Sequence, residues 1–459
     1  MDEITPRIVE FLSALKPEDL SDEVIDRVKY LLLDHLGVAI RGSLSDSSQA
    51  VYRMAERFAV GGSCTVIGTA QRSPAEYAAM ANGCAAHAVE LDDTHQASSL
   101  HPGVVIFPTA IALSERLDVD PKAFLISVVA GYEMITRLGM ALQPKLHYKQ
   151  GFHPTATCGV FGATVTAAKL LGMPKENMLS AVGIAGSMAA GSMEFLADGA
   201  WTKRLHPGLA AKNGITAAVL SAEGFFGPAS ILAGRDGFLF AYSQRPKPER
   251  VTAGLGETFE ILRTSVKPYA CCRYMQTPID ALIYLAETHD LRPDQVRSVR
   301  VAVLEAGWPL VCEPKERKYN PASIVDAQFS MPFGAATAIV RRKAGLDEFS
   351  EANIRSPETR AFMGKVVLEK DTRIDKNYPA EWGTRVEVSM INGSHFEHWM
   401  SHPKGDPENP LNWDELIAKF QTLAGPVVGE ERCSEIVQAV RNLEDLRQLW
   451  KLTAQGTSR

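Results

Sequence analysis

Residues 76–93 read EYAAMANGCAAHAVELDD, and this stretch decides the class of fold. Just before it, Ser73-Pro74-Ala75-Glu76 has the pattern of a capping box with proline at the first helical position. The run carries six alanines and a glycine among its 18 residues, and such small side chains let a second helix axis come close. Helices with Ala, Gly, Ser and Thr at inner positions return twice. Asp120-Pro121 opens PKAFLISVVAGYEMITRLGMAL (121–142), and His153-Pro154, with Thr155 as a cap, opens TATCGVFGATVTAAKLLG (155–172). At the N-terminus Thr5 caps and Pro6 begins a further amphipathic helix. Such helices predict a tightly packed all-α domain.

Beyond about residue 258 the period shifts toward that of strands. FEILRTSV (259–266), VRSVRVAVLEAG (296–307), KVVLEKD (365–371) and GTRVEVSMING (383–393) are rich in β-formers. TPIDALIYLAETH (277–289) and DAQFSMPFGAATAIVRRKAG (326–345) read as helices among them, and PLNWDELIAKFQTLAG (410–425) as a helix after them. The expected architecture is therefore mainly α. A large helical domain spans 1–262 and is completed by C-terminal helices within 400–459, while a smaller α+β domain spans 263–399.

At 459 residues the chain exceeds one ordinary core, which agrees with two domains. Hydrophobic residues at 46% and charged residues at 22% are the balance of a globular protein. The net charge is −6 with no dense basic block, so nucleic acid is not an expected partner. The charged, amphipathic start lacks the pattern of a signal peptide, and no stretch approaches 18 uninterrupted apolar residues. The expectation is a cytoplasmic protein with no membrane partner. Seven scattered cysteines fit reduced core residues.

Four of the eleven histidines precede proline: His101, His153, His206 and His402. Random placement gives about 0.6 such pairs, and proline pushes the residue before it out of the α region. A His-Pro step is thus expected to leave an imidazole on a loop at a helix mouth, where unpaired N–H groups favour anions. In ELDDTHQASSLHPG (90–103), the carboxylates Glu90, Asp92 and Asp93 stand beside His95 and His101. A neighbouring carboxylate orients an imidazole and raises its basicity, which suits a general base or acid. A solvated acidic helix end is the competing reading. KQGFHPTATCG (149–159) places His153 before a small-residue helix, and TKRLHPGLAAKNG (202–214) gathers Lys203, Arg204, His206 and Lys212. Cations among small apolar neighbours suit a carboxylate-rich ligand, against the alternative of a solvated basic face.

SVKPYACCRYMQTPIDA (265–281) adds Lys267, Arg273 and Tyr274 at the proposed domain boundary. Adjacent Cys271 and Cys272 make a poor chelate and read as structural. His395, His398 and His402 are a poor metal trio, since 395 and 398 point to opposite faces of a strand. No Walker loop and no GxGxxG occurs, so neither a metal nor a cofactor is expected.

Taken together, NGCAAHAVELDDTH, HPG, GFHPTATCG, TKRLHPGLAAKNG, KPYACCR with PIDA, and DAQFS resemble the MmgE/PrpD family across about residues 5–450. The resemblance implies a large helical domain with a smaller α+β lid, a homodimer, and cofactor-free proton transfer beside a carboxylate of a di- or tricarboxylic acid. By motif it puts Asp93, His101, His153, Lys203 and Lys267 at active-site positions and matches Tyr319 to a lid tyrosine. His101 and His153 are the proton-transfer candidates and Asp93 the orienting carboxylate. Lys203 and Lys267 are clamps, with Arg273, Gln276, Tyr319 and His206 as further substrate contacts. Family members often carry a histidine nine residues after the KPY lysine, where this chain has Gln276. Glutamine donates a hydrogen bond but moves no proton at neutral pH. The expected function is a lyase, with dehydration of a 2-methylcitrate-like substrate slightly ahead of decarboxylation of a cis-aconitate-like one. An epimerase acting α to a carboxylate and a non-catalytic polycarboxylate-binding protein are the alternatives.

Overall fold

The computed structural model describes residues 3–58 and 60–454. The chain is mainly α, with 59% of it helical. It divides into two compact units. One comprises the described residues up to Phe195, Ala200–Thr264 and those from Asn412 onward; the other comprises Leu196–Gly199 and Ser265–Leu411.

The first unit is built from long helices. Asp120 starts Pro121–Leu142 as its composition predicts, accepting the Ala123 N–H at 2.8 Å with proline in the first position. This helix is long and apolar enough to cross a membrane, yet 94% of its most apolar window is buried inside the protein, which makes it a core helix. Three predicted caps are otherwise employed. Thr5 lies inside Ile4–Ala14, and its hydroxyl accepts the Leu232 N–H at 3.1 Å. Ser73 is held in a two-residue strand paired with Cys64 and does not cap Ala75–His87. Thr155 lies within the single turn Pro154–Thr157, where its Oγ1 accepts the His101 N–H at 3.1 Å. The stretch expected to run on from there is broken at Cys158, and the next helix is Gly159–Leu170.

Helices Ala75–His87 and Thr202–Ala222 cross where Gly83 meets Gly208. A β-carbon on Gly208 would fall 2.2 Å from the Met80 carbonyl oxygen, so only glycine permits this approach. The crossing brings the C-terminal turn of one helix, with His87, close to the N-terminal turns of the other, with Lys203 and His206. His206 departs from its expected loop. It lies inside Thr202–Ala222 with Pro207 following it in the helix. Pro207, sixth in the helix, cannot donate to the Lys203 carbonyl, and the helix continues past that missing bond.

FEILRTSV is not the strand its composition suggests. It forms a 3-10 turn, Glu260–Arg263, and a two-residue strand, Thr264–Ser265. Part of its backbone is taken by a side chain, because Glu133 Oε1 accepts the Glu260 N–H.

The second unit holds a four-stranded sheet in the order Val366–Glu369, Val296–Ala302, Thr384–Met390, His395–Met400. The first pair is parallel and the other two antiparallel. Buried and half-buried residues alternate along Thr384–Met390, as a sheet covered on one face requires. Helix Arg273–Thr288 packs against this sheet. The stretch 326–345 is two helices rather than one, Ile324–Gln328 and Met331–Arg341. Ser330 breaks the run and caps the second by accepting from Phe333 N.

Candidate active site

Four buried imidazoles of the first unit form one group. The His87 ring centroid lies 5.0 Å from that of His101 and 5.8 Å from that of His153, stacked on the latter at 19°. His153 and His206 are 5.3 Å apart, with their Nδ1 atoms at 3.1 Å. Each ring is positioned by a different local device. His87 ends the helix Ala75–His87, and His101-Pro102 leads into Gly103–Leu117. His153 is the N-cap of Pro154–Thr157, where its own N–H donates to the Gly191 carbonyl at 2.9 Å. Gly191 (φ 150°) has no side chain to spare: a β-carbon there would sit 2.4 Å from that of Ala156.

The hydrogen bonds fix tautomers. Asp92 Oδ2 is 2.8 Å from His87 Nδ1 and 3.1 Å from His101 Nδ1. His101 Nδ1 is also 2.8 Å from the Asp93 carbonyl oxygen and 3.2 Å from Thr94 Oγ1. With acceptors on every side, both Nδ1 atoms carry the proton, and Nε2 of each ring is left with its lone pair. His87 Nε2 is buried and makes no hydrogen bond among the described residues. The ligand atoms of His87, Asp92 and His101 lie within 4.8 Å of one another, a spacing a metal ion could use. Their mutual contacts are those of one carboxylate shared by two imidazoles, and we assign them as that network.

Burial, reinforced by the Lys203 charge, holds His87 and His206 down to about 4. Burial and the neighbouring His206 and Lys203 hold His153 well below the ordinary histidine value. These rings are neutral in the protein without ligand. A polyanionic substrate would reverse the charge term and favour their protonation. Lys203 Nζ pairs with the Glu90 carboxylate, both buried, and Glu90 itself holds a left-handed φ of 58°. The pair supplies the cation nearest the imidazoles while neutralising its burial cost.

Asp93 sits differently from the role its motif implies. Its carboxylate accepts from Tyr132 Oη at 2.6 Å and from Gly103 N at 2.9 Å, at the N-terminus of helix Gly103–Leu117. Burial lifts it to about 7 despite those donors. The carboxylate that meets the imidazoles is that of Asp92, and Asp93 touches His101 through its backbone carbonyl. His95 also stands apart, with Nδ1 on Ser98 at 2.7 Å and Nε2 on Glu260 at 3.2 Å.

The remaining predicted residues belong to the second unit. Arg273 is committed to Asp406 through Nη2 at 2.7 and 2.8 Å and lies over the Trp382 ring. Gln276, in the first turn of helix Arg273–Thr288, folds back on the segment before it. Its Nε2 donates to the Tyr269 and Cys271 carbonyls at 2.9 and 3.2 Å, and its Oε1 accepts from Tyr269 N at 3.2 Å. Tyr319 Oη donates to the Val366 carbonyl at 2.8 Å. Each of these three side chains has a partner within the second unit. Lys267 is buried, on a segment tied down by the Val266 N–H bond to Gly405 O. His402 stands at the exit of the last strand, near Asp406 and Glu408.

A cavity of about 430 Å³ opens in the first unit. His206 forms part of its wall with Ala156, Phe195, Leu205, Leu209 and Asn213.

Comparison with known proteins bears on both units. The MmgE/PrpD N-terminal domain matches residues 6–251, and the MmgE/PrpD C-terminal domain matches 269–445. The cis-aconitate decarboxylase-like protein oryM of Aspergillus oryzae is 30% identical, over 98% of this chain and 96% of its own length. Cis-aconitate decarboxylase of Aspergillus terreus is 29% identical over 96% and 94%, and that of Homo sapiens 27% over 98% and 94%.

Proposed function

The chain belongs to the MmgE/PrpD family, and on that premise we propose that it is a lyase of small di- or tricarboxylates that decarboxylates a cis-aconitate-like substrate. The observation that carries the reading is the buried group of His87, His101, His153 and His206, with Asp92 on two of the rings and the Lys203–Glu90 pair beside them. Three relatives named as cis-aconitate decarboxylases or decarboxylase-like move the preference from dehydration to decarboxylation.

The chemistry needs little beyond these groups. In an unsaturated tricarboxylate of this type, a carboxylate on a methylene sits next to the double bond. When carbon dioxide leaves, the electrons of the broken C–C bond form a new double bond. The old double bond gives its electrons to the far carbon, which takes a proton beside a second carboxylate. The substrate is its own electron sink, so no cofactor is required. The protein must hold the other carboxylates, desolvate the departing one and deliver a proton to carbon.

In this scheme His153 delivers the proton and His101 Nε2 faces the substrate, with the Asp93 carbonyl fixing the His101 tautomer and the Asp92 carboxylate beside it. Lys203 holds a carboxylate. Lys267, at the matching KPY motif, is proposed as a second clamp, read out by a raised KM in Lys267→Met. Assembly as a homodimer is likewise part of the proposal, tested by sedimentation. The test of function is carbon dioxide release from cis-aconitate by the purified protein, run beside citrate and 2-methylcitrate. Release from cis-aconitate alone supports the reading, and water loss from the hydroxy acids without carbon dioxide release overturns it.

A further inference from the structure

We propose that His206 is the proton port of the site, passing protons from solvent in the adjoining cavity to His153. The inference rests on the decarboxylase reading above and deepens it. Loss of carbon dioxide from a carboxylate consumes one proton per turnover, because the bond once made to carbon dioxide is replaced by one to hydrogen. His153 is 2% exposed, so while substrate covers it, it cannot take that proton from water directly. Among the described residues, the hydrogen bond made by its ring goes to His206, Nδ1 to Nδ1 at 3.1 Å. The ring centroids of His87 and His101 lie 5.8 and 6.5 Å from that of His153, stacked and tilted against it. His206 is the member of the group that also lines the 430 Å³ cavity.

The Nδ1–Nδ1 contact holds a single proton between two rings, and either ring can be its donor. Before turnover His206 carries it, and His153 keeps its own proton on Nε2. His153 gives the Nε2 proton to the substrate carbon while its Nδ1 takes the shared proton from His206. His206 regains one at Nε2 from water in the cavity. One proton has entered from solvent and one has gone to carbon, and both imidazoles end neutral with their tautomers exchanged. Neither ring has to remain charged in a pocket that disfavours charge, beside Lys203. After product leaves, His153 Nε2 takes a proton from water entering the vacated pocket, its Nδ1 returns the shared proton to His206, and His206 Nε2 releases one to the cavity, which restores the start.

A role for His206 in holding His153 in place predicts something different, and two variants separate them. His206→Asn keeps a group able to hydrogen-bond His153 Nδ1 but cannot pass a proton. His206→Ala leaves a hole at the wall of the cavity that free imidazole can enter. With cis-aconitate as substrate, both variants should lose about 10²-fold in kcat with KM little changed. Added imidazole should restore His206→Ala in a saturable manner and leave His206→Asn unaffected. In ¹⁵N-histidine NMR of the wild type, coupling across one shared proton between two Nδ1 nitrogens should appear and vanish in either variant. The proposal is overturned if His206→Asn keeps wild-type kcat, if imidazole fails to rescue a folded His206→Ala, or if the shared proton is absent. Wild-type protein that shows the shared proton but releases no carbon dioxide overturns the decarboxylase reading and, with it, this use of the contact.

Discussion

Asp92 Oδ2 lies 3.1 Å from Nδ1 of His101, and His87 holds the same oxygen from the other side at 2.8 Å. The adjacent Asp93 turns its carboxylate to Tyr132 and to the first N–H of the helix Gly103–Leu117. Neighbours in sequence thus divide two tasks, one holding imidazoles and one holding a helix end.

That division predicts opposite phenotypes. Asp92→Asn should lower kcat by about 10²-fold or more while leaving the melting temperature nearly unchanged, because an amide removes the negative charge shared by His87 and His101. Asp93→Asn should act mainly on stability. Burial raises Asp93 to about 7, so its stabilising contribution is present below the unfolded value near 4 and lost as pH rises through 7. Urea midpoints at pH 5 and pH 8 should therefore converge in Asp93→Asn relative to wild type.

Lys203 and Glu90 form a buried ion pair. Lys203→Met leaves an uncompensated carboxylate and should destabilise by about 3–5 kcal/mol, whereas Lys203→Met with Glu90→Gln should recover much of that loss. A double-mutant cycle by chemical denaturation reads the coupling. Neither variant should recover substrate affinity, since the clamp is gone in both.

The Gly83–Gly208 crossing supports the site from below. Gly208→Ala drives a methyl group against the Met80 carbonyl, at 2.2 Å in the unrelaxed structure. The helices must separate, at a cost of about 1–3 kcal/mol. Because His206 and Lys203 ride on the same helix, kcat/KM should fall together with the melting temperature. A stability loss with unchanged kcat/KM would count against this coupling.

Several buried imidazoles set the acid limit. Burial pushes His35 down to about 3, and His87 and His147 down to about 4. A histidine depressed in the folded state is stabilising above its unfolded value of about 6.5, and that stability is lost as pH falls toward the folded value. Each such ring contributes a slope of up to about 1.4 kcal/mol per pH unit in that window. His35 packs against Phe107, and among the described residues neither of its ring nitrogens has a hydrogen-bond partner. His35→Leu should stabilise the protein at pH 5, have little effect at pH 8 and leave activity intact, as followed by denaturant midpoints.

Much of this arrangement is legible in the sequence. The small-residue runs around Ala75–His87 and Pro121–Leu142 announce close-packed helices, and His101, His153 and Lys203 stand out by motif. The choice between Asp92 and Asp93 is not legible, because outside a helix no period dictates which way successive side chains point. His87 is missed for a related reason. It ends an apolar helix, where a lone histidine reads as core, and only the tertiary position of Asp92 reveals its partner. The commitments of Gln276, Arg273 and Tyr319 likewise depend on contacts with Cys271, Asp406 and Val366 that composition cannot supply. The His-Pro pattern predicts a loop at His206, but the helix Thr202–Ala222 runs through Pro207, held by its packing rather than by local preference.

The most direct test is turnover of cis-aconitate in deuterated water, with carbon dioxide and the organic product measured together. The account predicts one carbon dioxide per product and a single deuterium on the carbon beside the retained carboxylate. Deuterium entering recovered substrate with no carbon dioxide released would contradict it and point to an epimerase.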